Sequence, residues 1–215
     1  MHLKRQEVPK SWAIPRKGSA YVVRPSSKLY SGIPLLIALR DLLKLTKNRR
    51  ETKKAIIEKF VLLNGKPVKD ERTALVLFDV ITIVPSKANY RLTLSDKGKF
   101  FFEEIKKDFD KKIAKIINKK ILKGKRAQFN LSDGRNVLTQ DSHKIGDSVI
   151  LNLKENKIER SLPLKEKSNV IVCGGKHIGA KGEITKVDEK QKIVEIQTEE
   201  KTKMNILIKH LMIIE

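Results

Sequence analysis

The chain of 215 residues has a single cysteine, Cys173, so no disulfide can form within it. Its four histidines, His2, His143, His177 and His210, are scattered and lack metal-ligand spacing. No apolar run approaches the roughly 18 residues that a spanning helix needs. The first residues also lack the apolar stretch of a signal peptide. We therefore expect a reducing, cytoplasmic setting, with no membrane partner and no metal. Acidic residues are the remaining shortage: 25 Asp and Glu stand against 47 Lys and Arg, a net charge of +22. That imbalance is far from a typical cytosolic enzyme and is spread over the whole length. A field of this sign attracts nucleic acid.

Catalytic groups are missing as well. Cys173 ends an apolar strand-like run and reads as a small buried side chain, not a nucleophile. Asp133-Gly134-Arg135-Asn136 reads as a turn. No glycine is followed by Lys-Ser or Lys-Thr at phosphate-loop spacing. No enzyme, cofactor or small-molecule substrate is expected.

Residues 48–68 are the most informative stretch present. Asn48 is suited to cap a helix, and Glu51 to reach back as in a capping box. Arg49/Lys53 and Arg50/Lys54 are i,i+4 pairs, so four cations share one flank. Thr52, Ala55, Ile56, Lys59 and Phe60 lie on or beside the opposite stripe. Val61-Leu62-Leu63 then enters Asn64-Gly65, the signature of a type I′ turn that pairs Leu63 with Lys66 and Leu62 with Pro67. Gly65 supplies positive φ. We expect the four cations to contact phosphates rather than to support the fold.

Residues 2–30 read as a basic extension broken by Pro9, Pro15 and Pro25. Lys4, Arg5, Lys10, Arg16 and Lys17 surround Trp12, which is read as stacking along RNA and as tucking onto a neighbouring domain, two readings that are compatible. Pro34 is placed to open a helix whose leucines, 35 to 45, pack on the Ile56/Phe60 stripe. Residues 75–78 and 79–84 look like strands closing the small sheet. Residues 90–94 and 99–102 form a hairpin over Ser95-Asp96-Lys97-Gly98, and residues 105–112 fit a short helix. Further strands alternate with turns at Lys123-Gly124-Lys125, Asp133-Gly134 and Gly146-Asp147, as in a small β-barrel or sandwich. Between residues 169 and 184 a strand enters a loop with Gly174, Gly175, Gly179 and Gly182, and a strand leaves it. Lys176, His177 and Lys181 lie there. Gly182 is expected to hold a positive φ or a close backbone approach.

The helix and hairpin resemble the αL-type RNA-binding fold of a bacterial small-subunit ribosomal protein and of pseudouridine synthases. Phe60 stands where that family usually has glycine before the first strand. The glycine loop resembles the KOW strand–loop–strand of SH3-like barrels, with Gly182 as its near-invariant glycine. His2-Leu3-Lys4-Arg5, Pro9-Lys10-Ser11-Trp12, Pro15-Arg16-Lys17, Leu39-Arg40-Asp41, Asp79-Val80-Ile81, Asp133-Gly134-Arg135-Asn136 and Gly174-Gly175-Lys176 occur in this order along the chain. In that order the chain is similar to the archaeal and eukaryotic small-subunit ribosomal protein family S4e, in its archaeal form. Ser26-Ser27-Lys28 departs from that family's usual Gly-Pro-His-type segment, and residues 75–78 lack its expected glycine. The resemblance implies an α+β, mostly β chain in four parts: an extension (1–30), an αL-type domain (31–86), a central β domain (87–166) and a KOW barrel (167–215). It implies a structural component of the ribosome that binds small-subunit RNA beside neighbouring ribosomal proteins. The expected RNA contacts are Lys4, Arg5, Lys10, Trp12, Arg16, Lys17, Arg49, Arg50, Lys53, Lys54, Lys66, Arg135, Lys176, His177 and Lys181, with Gly65, Gly134 and Gly182 structural. A KOW-type transcription or translation factor and an RNA-modifying enzyme are the alternatives of other classes.

Overall fold

A computed structural model describes residues 2–122, 126–139, 141–188, 191–198 and 202–214. The fold is α+β and mostly β, and every paired strand is antiparallel. No described helix is long and apolar enough to cross a membrane. The chain divides into two compact units, Met1–Leu94 with Lys99–Asp110, and Ser95–Gly98 with Lys111–Glu215.

In the first unit the N-terminal residues fold back on themselves. Leu3–Lys4 pairs with Tyr21–Val22. Between these strands the Arg5 guanidinium donates to Pro15 O at 2.8 Å, Ser19 O at 2.7 Å and Ser19 Oγ at 2.9 Å. Trp12 is only 3% exposed, and its indole N–H donates to Gly32 O at 2.9 Å. An indole sheathed in this way removes a large apolar surface from water without orphaning its donor. The reading of Trp12 as a tucked side chain therefore holds.

Gly32–Pro34 pairs with Ala74–Val76 in a separate two-stranded sheet, so this strand does not close the larger sheet as expected. Pro34 ends its strand and stands at the N-cap of the helical turn Leu35–Ile37. That turn widens over Ala38–Leu42, where Leu43 N–H donates to Ala38 O, five residues back, at 2.9 Å. Residues 35–39 are fully buried, but Leu42 and Leu43 are only half-buried and Leu45 is 47% exposed, so the apolar repeat expected through residue 45 holds only for its first half.

The helix Arg49–Ile57 buries Thr52 and Ile56. Phe60, expected on the same stripe, is 40% exposed. The reason lies at the helix end. Lys59, not Phe60, adopts the left-handed φ of 56° that a helix-terminating glycine usually supplies. Phe60 therefore leaves the helix path before its ring can join the stripe. The hairpin forms with the expected register, Leu63 opposite Lys66 and Leu62 opposite Pro67. The sheet runs Lys66–Pro67, Val61–Leu63, Val80–Ile83, Ala88–Leu94 and Phe100–Ile105. The expected boundary at 86/87 falls in the turn between two paired strands, because residues 88–91 complete the ladder of residues 80–83.

The second unit holds two five-stranded sheets. One runs Asn136–Thr139, Ala127–Leu131, Lys111–Ile121, Ser148–Asn152 and Lys157–Leu162. The helix expected over residues 105–112 is absent. Phe100–Ile105 and Lys111–Ile121 are strands, and the β-branched content of residues 113–121 prevails over the helical spacing of Ile105, Phe109 and Lys112. The other sheet runs Lys203–Leu207, Ile193–Thr198, Lys181–Asp188, Asn169–Val172 and Leu211–Ile213, curling so that the last strand returns beside the first. One core gathers Phe129, Leu131, Val137, Val149 and Leu151. A second joins Ile150 and Leu162 to Val170, Ile184, Val194 and Ile196. The expected turn at Lys123-Gly124-Lys125 lies outside the described residues.

Candidate nucleic-acid interface

The helix of residues 49–57 begins where Asn48 Oδ1 accepts the Glu51 amide at 3.0 Å. Glu51 does reach back, but to the Lys47 amide at 2.7 Å, one residue beyond the usual capping box. The four cations of the flank are not equivalent. Arg49 donates through Nε to Glu71 Oε1 at 2.7 Å and forms an ion pair with the same oxygen through its terminal nitrogen. The hydrogen bond to Glu71, reinforced by its charge, holds the Arg49 guanidinium above its ordinary range. Glu71 is 4% exposed, and its Oε2 has no partner among the described residues. Arg49 is therefore a counter-charge to a buried carboxylate, which corrects the expectation that the flank is indifferent to the fold. Lys54 stands 3.8 Å from Glu58, a loose exposed pair. Arg50 and Lys53 are exposed and remain open to a phosphate.

The hairpin presents Lys66 in solvent from a rigid turn. Asn64 and Gly65 have φ of 51° and 76°, as a type I′ turn requires. The Asn64 side chain also donates to Asp79 Oδ1 at 2.7 Å and accepts the Val80 amide at 3.0 Å. Asp79 Oδ2 in turn accepts the Val76 amide at 2.6 Å. Asn64 thus locks the turn to the adjacent strand, a role that the Asn-Gly signature does not disclose.

In the N-terminal segment Lys4, Lys10, Arg16 and Lys17 are exposed. Arg16 and Lys17 ride on the loop that Arg5 clasps. Arg5 and Trp12, expected to touch RNA, instead have their hydrogen-bonding groups committed inside the protein. Arg135 is drawn inward too: its Nε lies 3.3 Å from Asp133 Oδ2, which also accepts from the buried Lys112 Nζ at 3.0 Å. Burial pushes the Asp133 carboxyl up, but Lys112, the Arg135 amide and the Arg135 charge together hold it below its usual range. Gly134, with φ of 93°, makes the turn that closes this cluster.

In the glycine loop Lys176 and Lys181 are exposed and His177 is half-buried. Gly175 and Gly179 have positive φ, whereas Gly182 does not. Gly182 is instead a close approach. A Cβ there would stand 2.9 Å from the Gln197 carbonyl carbon, closer still to its oxygen, and 3.2 Å from Thr198 Cα.

Lys115 was not legible as a structural residue. It is buried, and its ammonium donates to Leu211 O at 2.7 Å and also to Ile208 O. Burial lowers its pKa to about 8, with a small opposing effect from Cys173. Burial pushes the Cys173 thiol up to about 12, which leaves it inert as a nucleophile at neutral pH. His210 is lowered by burial and then by Lys209 and Lys115. Acceptors 93 and 96 residues away leave no local signal for Lys115.

Exposed cations on a helix, a hairpin and a loop set among small antiparallel sheets make this a β-rich protein with several basic surfaces. Residues 86–158 match Ribosomal family S4e, and residues 1–27 match the RS4NT (NUC023) domain. The small ribosomal subunit protein eS4 of Methanocella arvoryzae is 40% identical over 189 residues, covering 86% of this chain and 80% of that protein. The protein of the same name from Methanococcus aeolicus is 38% identical over 213 residues, covering 92% and 87%. The crystal structure of the 30S ribosomal protein S4e from Thermoplasma acidophilum is similar with a TM-score of 0.73 at 27% identity, over 86% of this chain and 95% of that one. The chain belongs to the S4e family of ribosomal proteins.

Proposed function

We propose that the chain is a structural component of the small ribosomal subunit that binds ribosomal RNA through several separate basic surfaces, beside neighbouring ribosomal proteins in the cytoplasm. The observation that carries the reading is the distribution of uncommitted cations. Arg16 and Lys17 stand on the clasped N-terminal loop, Arg50 and Lys53 on the helix, Lys66 on the hairpin, and Lys176 and Lys181 at the glycine loop. Charge spread over separate elements suits one long folded RNA touched at several points, not one short site. The four-part division of the chain is kept here as a division of contact surfaces.

Salt dependence is the test. Each phosphate neutralised adds roughly 0.7–0.9 to the magnitude of the log–log salt slope. Replacing Arg16 and Lys17, Arg50 and Lys53, or Lys176 and Lys181 by alanine in the full chain lowers the slope for small-subunit RNA fragments by more than about one unit per pair. Deleting the N-terminal segment would be a poor test, because it would strip Trp12 from the first unit. If only the helix pair changes the slope, the multi-contact reading is wrong.

A further inference from the structure

In the last sheet Asn169 lies directly opposite Glu183, and Glu183 directly opposite Gln197. Opposed residues of an antiparallel ladder present their side chains on one face, with Cβ atoms about 4.5–5.5 Å apart. One row across three strands therefore reads amide, carboxylate, amide. Lys181, two residues before Glu183, falls on the same face by the strand's period of two. This row borders a cleft of about 470 Å³, to which Gly182 contributes no side chain. Among the described residues the side chains of Asn169, Lys181, Glu183 and Gln197 have no hydrogen-bond or ion-pair partner. Glu195 of the adjacent strand, by contrast, is already paired with Lys203 at 3.3 Å.

The set is selective in its chemistry. A carboxylate is acceptor-only and is best satisfied by two neighbouring N–H donors. Among the four RNA bases only guanine offers two adjacent donors, N1–H and the 2-amino group, next to an acceptor, O6. Adenine sets one donor beside one acceptor, cytosine one donor beside two acceptors, and uracil one donor between two acceptors. Glu183 facing N1–H and the 2-amino group would leave O6 to the NH₂ of a flanking amide. Lys181 would then neutralise the nucleotide's phosphate. That edge is occupied in a duplex, so the guanine must be unpaired. The volume is within the range of sites that hold one small ligand.

We propose that this cleft is a subsite for a single unpaired guanosine nucleotide of the bound RNA. The inference rests on the RNA-binding reading and adds base selectivity to it. The test is a titration of the ¹⁵N-labelled full chain with 5′-GMP, 5′-IMP, 5′-AMP and inorganic phosphate, followed by amide shifts. GMP is expected to move the amides of residues 169, 183 and 197. IMP, which lacks the 2-amino group, should bind about tenfold more weakly, as expected for losing half of a bidentate contact. AMP and phosphate should leave residue 183 unmoved. Glu183→Gln, and independently Asn169→Ala, should abolish the preference. Equal responses to GMP, AMP and phosphate would overturn the proposal. So would GMP shifts confined to residues 49–54, or equally effective occupation by argininamide, which would point to a protein partner. Affinity for a small-subunit RNA fragment is measured alongside. Intact RNA binding without guanosine preference defeats only this subsite, whereas no RNA binding at all defeats the reading beneath it.

Discussion

Gly182 and Gly65 are both glycines in β structure, and the structure assigns them opposite reasons. At Gly182 the backbone conformation is ordinary and the space is not. An added Cβ would lie 2.9 Å from the Gln197 carbonyl carbon, nearer than real Cβ atoms approach such a group. The obstacle is backbone, so no rotamer change relieves it. The strands Lys181–Asp188 and Ile193–Thr198 must part locally, loosening the Gly182–Thr198 pair. Each weakened ladder bond costs about 0.5–1.5 kcal/mol. Ile184, Val194 and Ile196, all fully buried beside it, lose packing as well. We expect Gly182→Ala to cost roughly 2–4 kcal/mol, at the high end of single substitutions. At Gly65 the reverse holds. Nothing lies within 4 Å of its Cβ position, but φ is 76°. There Gly65→Ala should cost about 1 kcal/mol, and Gly65→Asn less, because Asn tolerates left-handed backbone. Asn at 182 should be at least as costly as Ala. Calorimetry gives the totals, and hydrogen exchange of residues 169–172, 181–188 and 193–198 locates the loss. Trp12, in the first unit, should keep its fluorescence in the Gly182 variants. A cost for Gly182→Ala within about 0.5 kcal/mol, or Asn milder than Ala at 182, would refute the steric argument.

The remaining expectations follow from individual side chains. Arg50→Glu with Lys53→Glu should leave the melting temperature near wild type and weaken RNA binding strongly, whereas Arg49→Ala should lower the melting temperature by leaving Glu71 buried without its counter-charge. Asp133→Asn should destabilise the second unit by roughly 3–5 kcal/mol, since it breaks the buried Lys112–Asp133 charge pair; a loss below about 1 kcal/mol in urea unfolding would contradict the pair. Lys115 has a folded pKa of about 8 against an ordinary 10.5, so the unfolded chain binds more protons between those values and its contribution to stability rises with pH across that window. Lys115→Met should flatten that rise relative to wild type, and identical pH dependence in the two proteins would show that the ammonium is not buried in solution.

Local rules set the features that lie within a few residues of each other. The Asn48 cap, the Asn64-Gly65 turn with its register, and the Asp133-Gly134 turn follow from sequence because their geometry is decided by adjacent φ values and short side chains. The ordered motifs along the chain were likewise enough to suggest the S4e family, and a +22 charge was enough to suggest an anionic partner. Tertiary structure decided which cations are available. Arg5, Arg49 and Arg135 look interchangeable with Arg16, Arg50 and Lys181 in sequence. The first three, however, meet acceptors at Ser19, Glu71 and Asp133. Trp12 was legible as an aromatic among cations, but only its burial and its bond to Gly32 O showed that it is core. The row Asn169–Glu183–Gln197 is invisible along the chain, because its members become neighbours only through strand register. A charge or an amide is a property of one residue, whereas its availability depends on what the rest of the fold brings within hydrogen-bond or ion-pair reach of it.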